Sequence, residues 1–256
     1  MKCRLILCEN YDPFFNMAFD YYFWKNSEEP KNPPVLRFYK WSPSAVSYGY
    51  NQDKTKLINL QFCQKNNISV VMRPTGGSAI FHDIEITYSF SSNLLHHPSF
   101  SSPTLSYIIL CQGLINGIKK LGIELKIRRI SEGKEPSFTD IPCFSLSSRH
   151  DVVFNDKKII GSAQRRNKLS FLQHGSILID IRKNLWENIF LRGVEFSKIG
   201  CLNELVFVDR KKLIEFLKEG ISEILNFEIY EDCLKKEEKE EIEIIEKKLK
   251  REGKYE

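Results

Sequence analysis

The chain reads as an α+β protein, and three segments carry that reading. Asp151 to Phe154, then Asn155-Asp156, then Lys158 to Ala163 has the pattern of a β-hairpin with a two-residue turn, since Asn and Asp both tolerate the positive φ such a turn needs. Ser102-Pro103 opens the clearest helix, with Pro at the first helical position. Leu105, Ile108, Ile109, Leu114, Ile115, Ile118 and Leu121 cover a wide face of it, and Gly122 stands where a left-handed cap belongs. Lys235 to Arg251 is highly charged and keeps Ile242, Ile245 and Leu249 on one face, the mark of an amphipathic helix lying on the domain.

The other elements follow in order. Arg4 to Cys8 reads as a strand, and Phe14 to Lys25 as a helix with Met17, Phe19, Tyr22 and Phe23 near helical spacing. Glu28 to Pro34 is polar and Pro-rich, hence a loop. Val35 to Trp41 and Ala45 to Tyr50 are strand-like, separated by Ser42-Pro43-Ser44. Lys56 to Lys65 predicts a helix and Ser69 to Met72 a buried strand. After a Gly-Gly turn, Ala79 to Phe81 and Glu85 to Phe90 read as strands. Ile130 to Ser148 has no periodicity, and a loop of that length inside a compact domain is unusual unless functional. Phe171 to Asp180 is a strand, Leu185 to Leu191 a short helix, and Asp209 caps a helix through Leu225 with Leu213, Leu217, Ile221 and Ile224 on one stripe. No repeat or low-complexity linker occurs. The expected organisation is one domain over residues 1–200 and a helical segment over 201–256 packed on it.

Composition narrows the function. The 256 residues are 42% hydrophobic and 28% charged, ordinary for a globular protein, and the net charge of +5 is too mild and dispersed to argue for nucleic acid, though it suits an acidic protein partner. Seven cysteines, an odd number without a C-x-x-C pair, disfavour a disulfide framework or a zinc site, so no metal is expected. No apolar run is long enough for a signal peptide or a bilayer span. The expectation is a cytoplasmic protein with no membrane partner.

Two segments carry chemistry. Cys143 stands in Pro142-Cys143-Phe144, and Lys158 follows fifteen positions later (158 − 143) beyond the hairpin turn. A thiol attacks acyl groups as its thiolate, and a nearby ammonium favours that form, so a Cys–Lys pair facing one pocket makes an acyl-transfer site. The other six cysteines read as small buried hydrophobes, and His96, His97 and His150 as surface residues. The second segment is Arg73-Pro74-Thr75-Gly76-Gly77-Ser78-Ala79-Ile80-Phe81-His82-Asp83. Its glycines let backbone approach a ligand, and Arg73 at the mouth offers a bidentate anion contact. No Gly-Lys-Ser/Thr follows, so it is not a P-loop.

Taken in order, Arg37 to Gln52, Arg73 to Asp83, Lys158-Ile159-Ile160-Gly161-Ser162-Ala163-Gln164-Arg165-Arg166 and Gln173-His174-Gly175-Ser176-Ile177-Leu178 closely resemble the lipoate–protein ligase A family, whose domain is shared with biotin–protein ligases. Asn16-Met17-Ala18-Phe19-Asp20 resembles the family's opening helix. The resemblance spans roughly residues 3–190 and implies a mixed, mainly antiparallel sheet flanked by helices, akin to class II aminoacyl-tRNA synthetase cores. It also implies that the Gly-rich turn lines an acyl tunnel and that Lys158 points at the acyl carbonyl, with Lys157 on the opposite side of the strand. Cys143-Phe144 matches the Cys-Phe pair of an octanoyltransferase branch. That branch takes the group from acyl carrier protein, holds it as a cysteine thioester and passes it to a lysine of a lipoyl domain.

The resemblance makes Cys143 and Lys158 the catalytic residues. Its substrate-binding set is Arg73, Gly76, Gly77, Ser78, Ala79, His82, Gly161, Ser162, Ala163, His174 and Gly175, in which His82 and His174 hydrogen-bond the loops rather than move protons. The chain departs from the family where Ser78 replaces a third Gly and Met72 a second Arg. Transfer from a thioester to an amide is downhill and needs no cofactor. The alternatives are an ATP- and Mg-dependent lipoate–protein ligase and a lipoyl-domain amidotransferase. A biotin-type repressor would carry a helix-turn-helix ahead of a domain that here starts almost at residue 1.

Overall fold

The computed structural model describes residues 1–128, 142–145 and 150–255, with the backbone alone for Cys8, Glu9 and Asn10. Strand β1 (Lys2–Tyr11) leads to helix α1 (Pro13–Asn26), which is stopped at its start by Asp12, whose side chain accepts the Phe14 N–H, and by Pro13. After β2 (Val35–Trp41) and β3 (Ala45–Tyr48), the single helix expected over 56–65 is two, α2 (Lys54–Leu57) and α3 (Leu60–Lys65). Ile58 leaves the helix to bridge Phe190, and Asn59 caps the second piece. Then come β4 (Ser69–Met72), β5 (Ile80–His82), β6 (Glu85–Asn93), α4 (Pro103–Lys119) and β7 (Lys126–Ile127). Only Val71 of β4 is buried. Gly122 has φ +83° and donates to Lys119 O beyond α4, whereas Leu105 of the expected apolar face is exposed.

The hairpin is β8 (Val152–Phe154) and β9 (Lys157–Arg166), with Asn155 and Asp156 both at positive φ. The remaining elements are β10 (Ser170–Leu178), α5 (Lys183–Ile189), α6 (Arg210–Leu225, capped by Asp209), β11 (Glu228–Glu231) and α7 (Lys236–Glu252). Strand β11 corrects the purely helical reading of the C-terminal segment: its Glu-Ile-Tyr-Glu run lacks a buried face because it forms the sheet edge beside β1. The loop expected over 130–148 lies outside the described residues except for 142–145.

The large sheet runs β11-β1-β2-β6-β10-β9-β8-β7, with parallel pairing only where β1 meets β11 and β2, and a small sheet runs β4-β3-β5. Alternation along β2 feeds two layers. Leu36 and Phe38 face the core under α4 and α6, while Val35, Tyr39 and Trp41 face α1 and α7. Helices α4 and α6 cross closely because glycines meet: a Cβ on Gly220 would stand 2.3 Å from Gly113 O. Helix α7 lies on α1 through Ile242 and Leu249, tied by Arg4 to Glu238 at 2.6 Å and to Asp232 at 2.7 Å. No described helix is long and apolar enough to cross a membrane.

Candidate active site

Cys143 opens a single 3₁₀ turn, Cys143–Ser145, pinned at three points. The Cys143 N–H donates to Ala79 O (2.8 Å), Phe144 is fully buried beside Trp186, and Ser145 Oγ accepts the Glu195 N–H (2.9 Å). Lys158, on β9, is 3% exposed and reaches this turn from the sheet. Its Nζ donates to Cys143 O at 3.1 Å, lies 3.6 Å from Cys143 Sγ, and pairs with Asp151 Oδ1 at 2.8 Å. Burial alone would push the lysine pKa down. The charges of Cys143 and Asp151 and their hydrogen bonds reverse this and hold it above its ordinary value, so Lys158 is an ammonium at neutral pH. Lys157 points away to Glu204 (3.2 Å).

The sequence reading missed Asp151. The hairpin register carried the signal: Lys158 pairs with Val153, and Asp151 lies two residues before Val153 on the same face.

The other cysteines with described side chains contrast with Cys143, which is half-buried; the expected burial of Cys8 lies outside the described side chains. Burial pushes the thiols of Cys3, Cys111 and Cys201 up to about 12 and that of Cys63 to about 11. Cys233 is exposed, against the expectation of burial, because it lies in the polar link between β11 and α7.

Cys143 borders a small cavity of about 50 Å³ with a mainly apolar wall. Tyr39, Thr87, Ser176 and Gly161 are directly paired residues on four adjacent strands, and all four line it. The floor therefore spans three strand spacings, about 14 Å, from Gly161 on β9 to Tyr39 on β2. Met17, Tyr39 and Trp41 close the β2 end. Trp41 stacks on His82 (4.0 Å, 14°) and donates to Thr87 Oγ1 (2.7 Å). Gly161, Ser162, Ala163, His174 and Gly175 line the cavity. Lys158 is not part of that wall; it stands behind the thiol.

The Gly-rich segment divides. Gly77, Ser78, Arg73 and His82 line the cavity, whereas Gly76 and Ala79 do not. Gly77 needs to be glycine for its backbone, with φ at +87°. Arg73 is not at an open mouth. It is 5% exposed and turns inward, donating to Gly76 O (2.7 Å), Ser78 O (2.9 Å) and Ser47 O (3.2 Å), so it holds the loop's shape. Burial lowers its pKa to about 10, still cationic at neutral pH.

A buried network fixes the loop from below. His174 Nδ1 meets Asp20 Oδ2 (2.8 Å) and Nε2 meets Thr75 Oγ1 (2.6 Å). Asp20 also takes Tyr39 OH (3.0 Å) and Arg37 (3.2 Å), and the Arg37 guanidinium lies between the Phe19 and Tyr39 rings, at 4.0 and 3.8 Å. Burial raises the Asp20 pKa, but His174 and Arg37 more than reverse it, so Asp20 is a carboxylate. Burial lowers that of His174 despite Asp20. A neutral His174 beside a carboxylate carries its proton on Nδ1, and Nε2 accepts from Thr75. His82 similarly meets Ser47 Oγ (2.8 Å) and Glu85 Oε1 (2.9 Å). His96, His97 and His150 are half-buried rather than on the surface. Pro30 O and Ser92 engage His96, Phe100 packs on His97, and Tyr107 lies against His150.

The His174 shift predicts pH dependence. Its folded pKa is depressed, so the unfolded chain takes the proton first, and stability present above the ordinary histidine value of about 6.5 is lost as pH falls below it. Thermal melts should show Tm falling from pH 7.5 to 5.5, with a shallower slope in His174→Gln. Equal slopes would contradict the assignment.

Comparison with known proteins adds to this geometry. Residues 12–221 match the family model of the lipoyl protein ligase A/B catalytic domain. Octanoyltransferase LipM of Bacillus subtilis is 34% identical over 251 residues, covering 92% of this chain and 90% of that protein. Octanoyltransferase LipM of Brevibacillus brevis is 39% identical over 186 residues, covering 71% and 67%. Among solved structures, a lipoate-protein ligase A bound with ATP superposes with a TM-score of 0.82 at 22% identity, covering 97% and 95% of the two chains. A putative lipoate protein ligase of T. acidophilum with bound lipoic acid gives 0.79 at 22%, covering 97% and 96%. These structures establish the mixed, mainly antiparallel α+β fold.

Proposed function

The chain belongs to the lipoyl protein ligase A/B catalytic-domain family and is an acyltransferase, and from that premise we propose that it moves an octanoyl group from acyl carrier protein to a lysine of a lipoyl domain through a thioester on Cys143. The observation that carries this reading is the thiol of Cys143 on the cavity wall with the Lys158 ammonium 3.6 Å behind it. The similarity to octanoyltransferases adds to it.

In this mechanism the Cys143 thiolate attacks the carbonyl carbon of the carrier thioester, and the carrier's thiol leaves with a proton from solvent. The acyl chain lies across the sheet from Gly161 toward Trp41, on a wall that receives apolar surface from water. Backbone N–H groups of the Gly77 turn are the proposed partners of the oxyanion. The acceptor lysine, as a free amine, then attacks the acyl-enzyme and gives up one proton to solvent as the amide forms, and the thiolate of Cys143 leaves beside Lys158. A thioester lies above an amide in free energy, so neither ATP nor magnesium is required.

Incubation with octanoyl acyl carrier protein and a lipoyl domain, without ATP, tests this. The lipoyl domain should gain one octanoyl group, and Cys143→Ser should abolish the gain. Modification only with free lipoate and ATP would make the protein a ligase instead.

A further inference from the structure

We propose that Asp151 is a protecting and positioning residue: by pairing with the Lys158 ammonium it keeps that amine from taking the acyl group off Cys143. This rests on the reading of Cys143 as the acyl carrier and adds a hazard that the reading creates. Nζ of Lys158 lies 3.6 Å from Sγ of Cys143. The carbonyl carbon of an acyl group on that sulfur is one bond away from it, within reach of the roughly 3–3.5 Å separation from which nucleophiles attack. A neutral amine held there is a better placed acceptor than any lysine arriving on another protein.

The side reaction is complete without any further reagent. Lys158 gives a proton to solvent, and the freed lone pair attacks the thioester carbonyl carbon. An N–C bond forms, the C–S bond breaks, and the electron pair leaves on the sulfur of Cys143 while the nitrogen loses its second proton. The product is an amide, which the enzyme has no means to reverse, so each such event removes one molecule from turnover.

Geometry assigns the safeguard to Asp151. Its carboxylate is 3% exposed and 2.8 Å from Nζ. The other groups facing the amine do not supply that charge while Cys143 is acylated. The sulfur loses its negative charge on forming the thioester, Cys143 O is a neutral acceptor at 3.1 Å, and Phe144 presents a ring face at 5.3 Å. Arg128, 3.9 Å from Asp151, competes for the carboxylate only at longer range, and Tyr107 is near enough to feel it. Asp151 therefore matters most in the acyl-enzyme, when the thiolate can no longer hold the proton on the lysine.

The experiment loads wild type, Asp151→Asn and Asp151→Glu with octanoyl acyl carrier protein between pH 7 and 9.5. Each sample is then treated with neutral hydroxylamine, which cleaves thioesters and leaves amides, and mapped by peptide mass spectrometry. Wild type and Asp151→Glu should carry a hydroxylamine-labile octanoyl group on Cys143. Asp151→Asn should accumulate at least tenfold more resistant octanoyl, on the peptide bearing Lys158, in a fraction that grows with pH. An Asp151→Asn adduct as labile as that of wild type would overturn the proposal. A wild type without any adduct on Cys143 would overturn the thioester reading itself, and this proposal with it. If Asp151→Asn does not fold, Asp151→Ser takes its place and the same outcomes decide.

Discussion

Lys158→Met should slow alkylation of Cys143 by iodoacetamide at neutral pH and lower kcat/KM for acyl transfer by about 10²–10³-fold, the usual cost of removing one aligned charge or donor from an active site. The variant keeps most of the side-chain volume but loses the cation 3.6 Å from the sulfur. It also breaks the buried Lys158–Asp151 pair, and removing one partner of such a pair costs about 3–5 kcal/mol of stability in comparable cases. Melts and alkylation are therefore read together, below the variant's Tm. Lys157→Ala is the control, since that side chain is turned to solvent and to Glu204. Equal alkylation rates in wild type and Lys158→Met would remove the Cys–Lys pairing from the mechanism.

Gly161→Val should abolish acyl-enzyme formation to below about 1% of wild type while the protein still folds. A Cβ at this position would stand 3.0 Å from Lys158 Cε and 3.1 Å from the Phe144 ring. Both neighbours are fixed, Lys158 by three polar contacts and Phe144 by burial beside Trp186. The branched side chain must displace one of them and enter the cavity that Gly161 lines. Overpacking of this kind costs about 1–3 kcal/mol, and a displacement near 1 Å of a reacting group costs about 10²-fold in rate. Acylation at a wild-type rate would show that Gly161 borders neither the thiol nor the acyl chain. Gly77→Val is less informative, because φ +87° alone requires glycine there.

The hairpin around Asn155-Asp156 and the helix capped by Asp209 were legible because short-range rules determine them: turn residues that tolerate positive φ, and a carboxylate that accepts the Lys212 N–H. Strand β11 was not, because an edge strand has no periodic apolar face to announce it. The split of the expected 56–65 helix was hidden for a similar reason, since the Ile58–Phe190 bridge joins residues 132 positions apart (190 − 58). At the site, Cys143 and Lys158 stood out through their motifs, and the structure brings them together. Asp151 did not, and Asp20 stood in the opening-helix motif without a role, since a carboxylate's role depends on what folds against it: Lys158 across a strand pair, or His174 on β10 and Arg37 on β2. Arg73 was misread as an open anion contact because its donors are consumed by carbonyls of its own loop and of Ser47.

Peptide mass spectrometry after mixing the protein with octanoyl acyl carrier protein, with no ATP and no acceptor, tests the central claim most directly. The account predicts one octanoyl group per chain, released by neutral hydroxylamine and located on Cys143, which disappears when a lipoyl domain is added. An unmodified Cys143 under these conditions, or an octanoyl group on any other cysteine, would contradict it.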